Sequence, residues 1–254
     1  MAFVLDKEGN YLQVFGTTSG GSGDNNFIPN DTVISVKLDG SGDFTSFPDA
    51  ISSLDGKWSN GQVTIELGSG TFDTNGTVNF NPNKFNIPRL SIKGSGKDNT
   101  IINGKNIPDW NGVININQRN SIVEFENLTI NSENTTTASC VRVNSGNVQI
   151  YQTVSITNGN TGVNVFGNAT LLCNSTNLYI SGVSGAGVSC QAGGNAIFAN
   201  TKFYLDTIGT AFSINIGTIK MWNCTKSSAT SVTNLFSQTK NTFTSQGYIL
   251  SELS

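Results

Sequence analysis

Short bursts of apolar–polar–apolar residues recur along the second half of the chain at a nearly constant spacing. Leu128, Thr129 and Ile130 form one such triplet; Val154, Ser155 and Ile156 form the next. Leu178, Tyr179 and Ile180, then Phe203, Tyr204 and Leu205, continue the series, with steps of 26, 24 and 25 residues between first members. A second series runs beside it through Ile114 and Ile116, Val141 and Val143, Val163 and Val165, Val188 and Cys190, and Phe212 and Ile214, each pair flanking one polar residue. Alternation places residues i and i+2 on one face of a strand, so every triplet aims two apolar side chains inward. One such strand cannot bury its own face, whereas copies stacked every turn of a coil make a continuous core. Gly and Asn follow the triplets, as at Gly146, Asn147, Gly167, Asn168, Gly193 and Asn195, where the chain must turn. The pattern predicts an all-β chain: a single-stranded, right-handed parallel β-helix with coils of roughly 23–26 residues.

The first half supplies earlier coils with a different opening. Val63, Ile65 and Leu67, then Val78 and Phe80, Leu90 and Ile92, and Ile101 and Ile102 read as strands. Before them, Phe44, Phe47, Ala50, Ile51 and Leu54 paint one stripe of a short helix, with Pro48 tolerable near its first turn. The open end of a β-helix exposes core and strand edges, so this helix is expected to cap it, with Asp43 as its N-cap. Residues 16–26 are rich in Gly and Ser and read as a linker. The expected organisation is an N-terminal arm and linker over 1–26, a first strand and capping helix over 27–62, and the β-helix with a short C-terminal cap over 63–254.

Composition narrows the chemistry. The 254 residues include no His, which removes imidazole metal sites and His-dependent nucleophilic catalysis. A net charge of −3 offers no footprint for nucleic acid or an anionic membrane. No run reaches the ~18–20 consecutive apolar residues of a membrane span, and no basic-then-apolar leader opens the sequence, so no signal peptide is expected. No cofactor and no metal site is expected; Asp39 and Asp43 in a Gly-rich turn do not supply the oxygens that calcium requires.

Three stretches, in order, resemble the pectin lyase-like superfamily of right-handed β-helices. Val36 to Thr45 with Phe47 to Ile51 is similar to the first strand and capping helix of pectin methylesterase-type chains. Val63 to Ile65 through Gly70, Thr71 and Phe72 resembles the next strand and its turn, and Ile92 to Gly96 with Thr100 to Gly104 the coil that follows. The resemblance implies the fold. It implies no activity, because the methylesterase Gln-Asp-Thr motif, the galacturonase Asp pair with Gly-His-Gly, and the calcium carboxylates with catalytic Arg of pectate lyases are not found in the sequence.

From Val113 to Leu250 the carboxylates are Glu124, Glu126, Glu133 and Asp206, and the arginines Arg119 and Arg142. Glu124 and Glu126, at i and i+2, share a strand face roughly 6–7 Å apart, within the ~5–9.5 Å range of glycosidase pairs. They are the catalytic candidates; the plainer reading is two solvated surface residues. The four cysteines read as buried thiols, since Cys140 and Cys190, like Cys173 and Cys224, lie two coils apart, beyond the ~7 Å reach of a disulfide. Outward aromatics carry the better lead. Tyr179 and Tyr204 occupy the outward slot of successive coils and Phe166 that of its own triplet. Exposed rings stack on sugar faces while neighbouring amides bond hydroxyls, although an aromatic ladder also stabilises a sheet by itself.

A β-helix with a flexible arm and no recognisable catalytic set resembles bacteriophage tail and spike proteins. That resemblance implies a non-catalytic virion structural protein attaching to a host surface or glycan, located in the virion or outside the cell. Its implied partners are a cell-surface polysaccharide, other virion proteins through the arm, and two further copies in a homotrimer, with no nucleic acid and no membrane insertion. Two alternatives stand beside it: a polysaccharide lyase or glycoside hydrolase of the same superfamily, and an adhesin or purely structural β-helix.

Overall fold

The computed structural model describes residues 2–5, 11–14, 26–81, 84–226 and 232–240. The expected linker and most of the expected C-terminal cap lie outside these residues. In chain order the strands are β1 (Ala2–Leu5), β2 (Tyr11–Val14) and β3 (Thr32–Val36), the helix α1 (Phe47–Ser52), then β4 (Gln62–Leu67), β5 (Gly70–Asn75), β6 (Val78–Phe80), β7 (Arg89–Lys93) and β8 (Thr100–Lys105). They continue as β9 (Gly112–Ser132), β10 (Ser139–Asn158), β11 (Thr161–Phe166), β12 (Thr170–Asn174), β13 (Asn177–Gln191), β14 (Asn195–Ala199), β15 (Lys202–Asn215), β16 (Thr218–Trp222), β17 (Thr225–Lys226) and β18 (Val232–Lys240). Strands β1 and β2 pair antiparallel as a sheet of their own.

All other pairings are parallel, and they sort into three sheets wound by one chain. The first sheet stacks β3, β4, β7, the middle of β9 and of β10, β12, β14 and β16. The second stacks β5, β8, the ends of β9 and β10, and the starts of β13 and β15. The third stacks β6, the starts of β9 and β10, β11, and the ends of β13 and β15, followed by β18. This is a parallel β-helix, and both series of triplets lie in the registers that the sequence indicates: Leu128, Val154, Leu178 and Phe203 align in the second sheet, and Ile114, Val141, Val163, Val188 and Phe212 in the third.

The core follows from this register. Ile65, Ile92, Phe125, Ile150, Cys173 and Phe198 form a buried column in the first sheet. Where Phe198, Phe203 and Phe212 come from the three sheets of one coil, their rings meet edge to face at centroid distances of 5.1–5.9 Å. Such contacts add about 0.5–1.5 kcal/mol each beyond area burial.

The corners are as regular as the sheets. Between the first and second sheets the chain turns at one left-handed residue per coil: Asn127, Gln152, Ser175, Asn200 and Asn223, with φ between 48° and 58°. Asn is the side chain that best tolerates this conformation apart from Gly. Just after this residue, Thr176 Oγ1 reaches the Ile150 carbonyl at 2.7 Å and Thr201 Oγ1 the Cys173 carbonyl at 3.2 Å. Cys224 Sγ takes the same place against the Phe198 carbonyl at 3.5 Å. A small inward donor thus ties the last three of these turns to the previous coil.

The helix α1 buries Phe47, Ala50 and Ile51, with Leu54 buried just past its end, and packs beside β3, β5 and β6. Its N-cap differs from the sequence expectation. Ser46 Oγ accepts from the Asp49 amide at 3.3 Å, while Asp43 accepts from the Ser35 amide (2.8 Å) and hydroxyl (2.7 Å). Asp43 therefore fastens the Gly-rich turn to β3, and the helix starts three residues later than Asp43 as a cap would require. Among the described residues no helix is long and apolar enough to cross a membrane.

Candidate functional site

The two sequence-derived carboxylates lie on the outer face of the first sheet, but each has a partner. Glu124 is 6% exposed, and its Oε1 accepts from Arg89 Nε at 2.8 Å and pairs with Nη2 at 2.6 Å. Glu124 raises the Arg89 pKa further, first by hydrogen bonding. Glu126 accepts from Asn127 Nδ2 at 3.1 Å and lies 3.9 Å from Lys93 Nζ. Glu124 is thus not the solvated residue that its strand position suggests. The neighbouring strand places Arg89 one rung away, and an ion pair replaces hydration. A carboxylate whose oxygen is already engaged by a guanidinium is not free to meet a substrate. Among the described residues no three His, Cys, Asp or Glu side chains cluster to hold a metal.

On the second sheet, Tyr179 and Tyr204 are register partners. Their rings stack with centroids 4.1 Å apart and planes 4° from parallel, as two identical side chains on strands about 4.8 Å apart should. Lys97 Nζ lies 4.7 Å from the Tyr179 centroid and Lys202 Nζ 5.0 Å from that of Tyr204, so an ammonium accompanies each ring. Lys97 comes from the loop before β8, and that loop is anchored where Thr129 Oγ1 donates to the Lys97 carbonyl at 2.6 Å. The two phenols differ in acidity. Hydrogen bonding to Lys202 holds Tyr204 below the ordinary tyrosine value. Partial burial, then its bond with Tyr204, pushes Tyr179 above it. The lower half of this face carries a polar column instead: Asn103 Nδ2 donates to Asp73 Oδ1 (2.7 Å) and Glu133 Oε1 (2.9 Å), and Asn131 Nδ2 to Asn103 Oδ1 (2.6 Å).

Phe166 does not join the tyrosines. It sits on the third sheet, 37% exposed, with the Arg142 guanidinium 5.9 Å from its centroid. Arg142 Nε donates to Asn144 Oδ1 at 2.9 Å and Nη1 to the Trp110 carbonyl. Trp110, in a left-handed turn with φ 63°, projects at 71% exposure. Trp110 and Asn168 lie in turns and Asn144 and Asn147 at polar positions of β10, so none adds to the apolar period; only the tryptophan's isolation among polar residues marks it in the sequence. Two concavities flank these surfaces. One, about 370 Å³, lies between α1 and the β5–β6 turn and is lined by Ser46, Asp73, Asn75, Thr77 and Lys84 among others. The other, about 490 Å³, lies beside Phe166 and is lined by Asn144, Ser145, Gly146, Asn147 and Asn168.

No protein-family model and no curated protein sequence matches the chain. Among solved structures the chain is similar to pectin methylesterase from carrot, at 12% sequence identity and a TM-score of 0.49, over 84% of this chain and 89% of that one.

Proposed function

We propose that the chain is a non-catalytic attachment protein, of the kind carried on bacteriophage tails and spikes, that recognises a cell-surface polysaccharide. The observation that supports it most is the parallel Tyr179–Tyr204 pair, half-exposed on a rigid sheet with an ammonium beside each ring. Stacked face to face, the two rings present their edges, phenol hydroxyls and the accompanying ammonium groups together as one fixed surface for a sugar, and the surrounding Asn, Ser and Thr side chains serve its hydroxyls. Individually weak sites gain strength when copies act together, which suits a homotrimer.

The test is binding of purified chain to intact cells and to their extracted polysaccharides. Tyr179→Ala with Tyr204→Ala is expected to reduce binding at least about 10-fold, the change that ~1.4 kcal/mol produces. A double variant that folds and binds as well as the parent would overturn the reading. Light scattering is expected to give three times the 26.9 kDa of one chain.

A lyase or hydrolase built on Glu124 and Glu126 requires Glu124 to leave Arg89. Glu124→Gln is expected to leave no polysaccharide-cleaving activity to lose. It should instead lower stability by about 1–2 kcal/mol in a denaturation experiment, as one partner of a half-exposed ion pair is removed.

A further inference from the structure

Tyr179 and Tyr204 are arranged for a reaction with each other. They are register partners on adjacent strands, their rings 4.1 Å apart and 4° from parallel, and both are partly exposed. Their hydroxyls hydrogen-bond one another, so the rings lie with like edges together. The Cε carbons beside each hydroxyl therefore face their counterparts across the stack. Lys202 hydrogen-bonds the Tyr204 hydroxyl and favours its phenolate, the form that gives up an electron most readily. Other oxidisable groups stand apart. The four thiols are buried, and Tyr151 lies on the first sheet, its hydroxyl donating to Gln149.

We infer that this pair is a covalent modification site, at which a haem peroxidase supplied with hydrogen peroxide joins the two rings into an intrachain dityrosine that staples successive coils. Each phenol gives up one electron and its hydroxyl proton, and two such losses reduce one hydrogen peroxide to two waters. The two radicals then share their unpaired electrons in a new Cε–Cε bond. The hydrogen left on each bonded carbon passes through water to the oxygen of its own ring, which restores both phenols. The product is two hydrogen atoms lighter than the parent. Radical coupling requires the two rings to meet, and the sheet holds them face to face beforehand. The ends of the staple lie 25 residues apart in sequence, so it restricts the unfolded chain as a disulfide does. None of this rests on the reading of the chain as a glycan binder.

The experiment is oxidation of the dilute full chain by a haem peroxidase and hydrogen peroxide, followed by trypsin digestion and mass spectrometry. The expected product runs as a single chain on a denaturing gel and shows dityrosine fluorescence. Its digest is expected to contain residues 143–202 joined to 203–220 with two hydrogen atoms missing, and fragmentation places the link at Tyr179 and Tyr204. The fraction linked is expected to be independent of protein concentration, and the urea midpoint to rise above that of the untreated chain. Tyr179→Phe and Tyr204→Phe each keep a ring in the stack and are each expected to abolish the link. Coupling only between separate chains, coupling through Tyr151, oxygen addition without coupling, or no product where free tyrosine couples would each overturn the assignment.

Discussion

Cys140, Cys173, Cys190 and Cys224 are all buried and unbridged, and burial decides their chemistry. Desolvation pushes Cys140 and Cys190 from 9.0 up to about 12; Cys173 and Cys224 shift in the same direction, also through burial first. A thiolate is the reactive species, so the native chain is expected to resist iodoacetamide at pH 8, while the denatured chain takes up four equivalents by mass spectrometry. The shift also sets a pH dependence. Between the unfolded value of 9.0 and the buried value of about 12, the unfolded chain binds fewer protons than the native one. Stability contributed by the neutral thiols is then full below pH 9 and is lost as pH rises through that window. Denaturation midpoints measured from pH 8 to 11 are expected to fall above pH 9, and Cys140→Ala with Cys190→Ala should flatten the fall.

At the scale of a turn or strand, the column Thr176, Thr201 and Cys224 makes a sharper claim. Each side chain ties its corner to a carbonyl of the previous coil, and only the last uses sulfur, a weak donor. Thr201→Val keeps the shape and removes the donor, with an expected loss of about 1 kcal/mol or more from an unsatisfied buried carbonyl. Cys224→Thr restores the hydroxyl and is expected to be neutral or stabilising in the same urea titration. This column was not legible in the sequence, because the inward hydroxyls fall in turns where Thr and Ser are common for other reasons. The second and third sheets were legible, since their inward residues flank polar ones. The later strands of the first sheet were not: Leu171, Leu172 and Cys173, like Ala196, Ile197, Phe198 and Ala199, form unbroken apolar runs in which a period of two disappears. The candidate surfaces divide in the same way. Tyr179, Tyr204 and Phe166 were found because they fill outward slots of regular triplets. Trp110, 32 residues before Arg142, and Asn168, which joins Asn144 and Asn147, come to this corner only through the stacking of coils.

For the molecule as a whole, coils contact chiefly the coils on either side, so stability grows by neighbour-to-neighbour terms along one axis. One end is covered by α1. Toward the other, among the described residues, β16 pairs only with β14 and β17 only with β15. Amide hydrogen exchange is expected to be slowest in the flanked strands around Val141–Val143 and Val163–Val165, and faster in β16 and β17. Uniform exchange across all strands would show instead that the stack opens as one unit.

The constant register carries one more consequence. Residues in the same slot of successive coils differ in height by one strand spacing, about 4.8 Å, and barely at all in direction. The molecule is thereby a graduated ruler: an inserted or deleted coil between two rungs would change the separation of their outward groups by one graduation while preserving the face each occupies. Spacing along the axis can then be tuned by whole repeats to the period of a polymer, and the direction in which each group points need not be solved again.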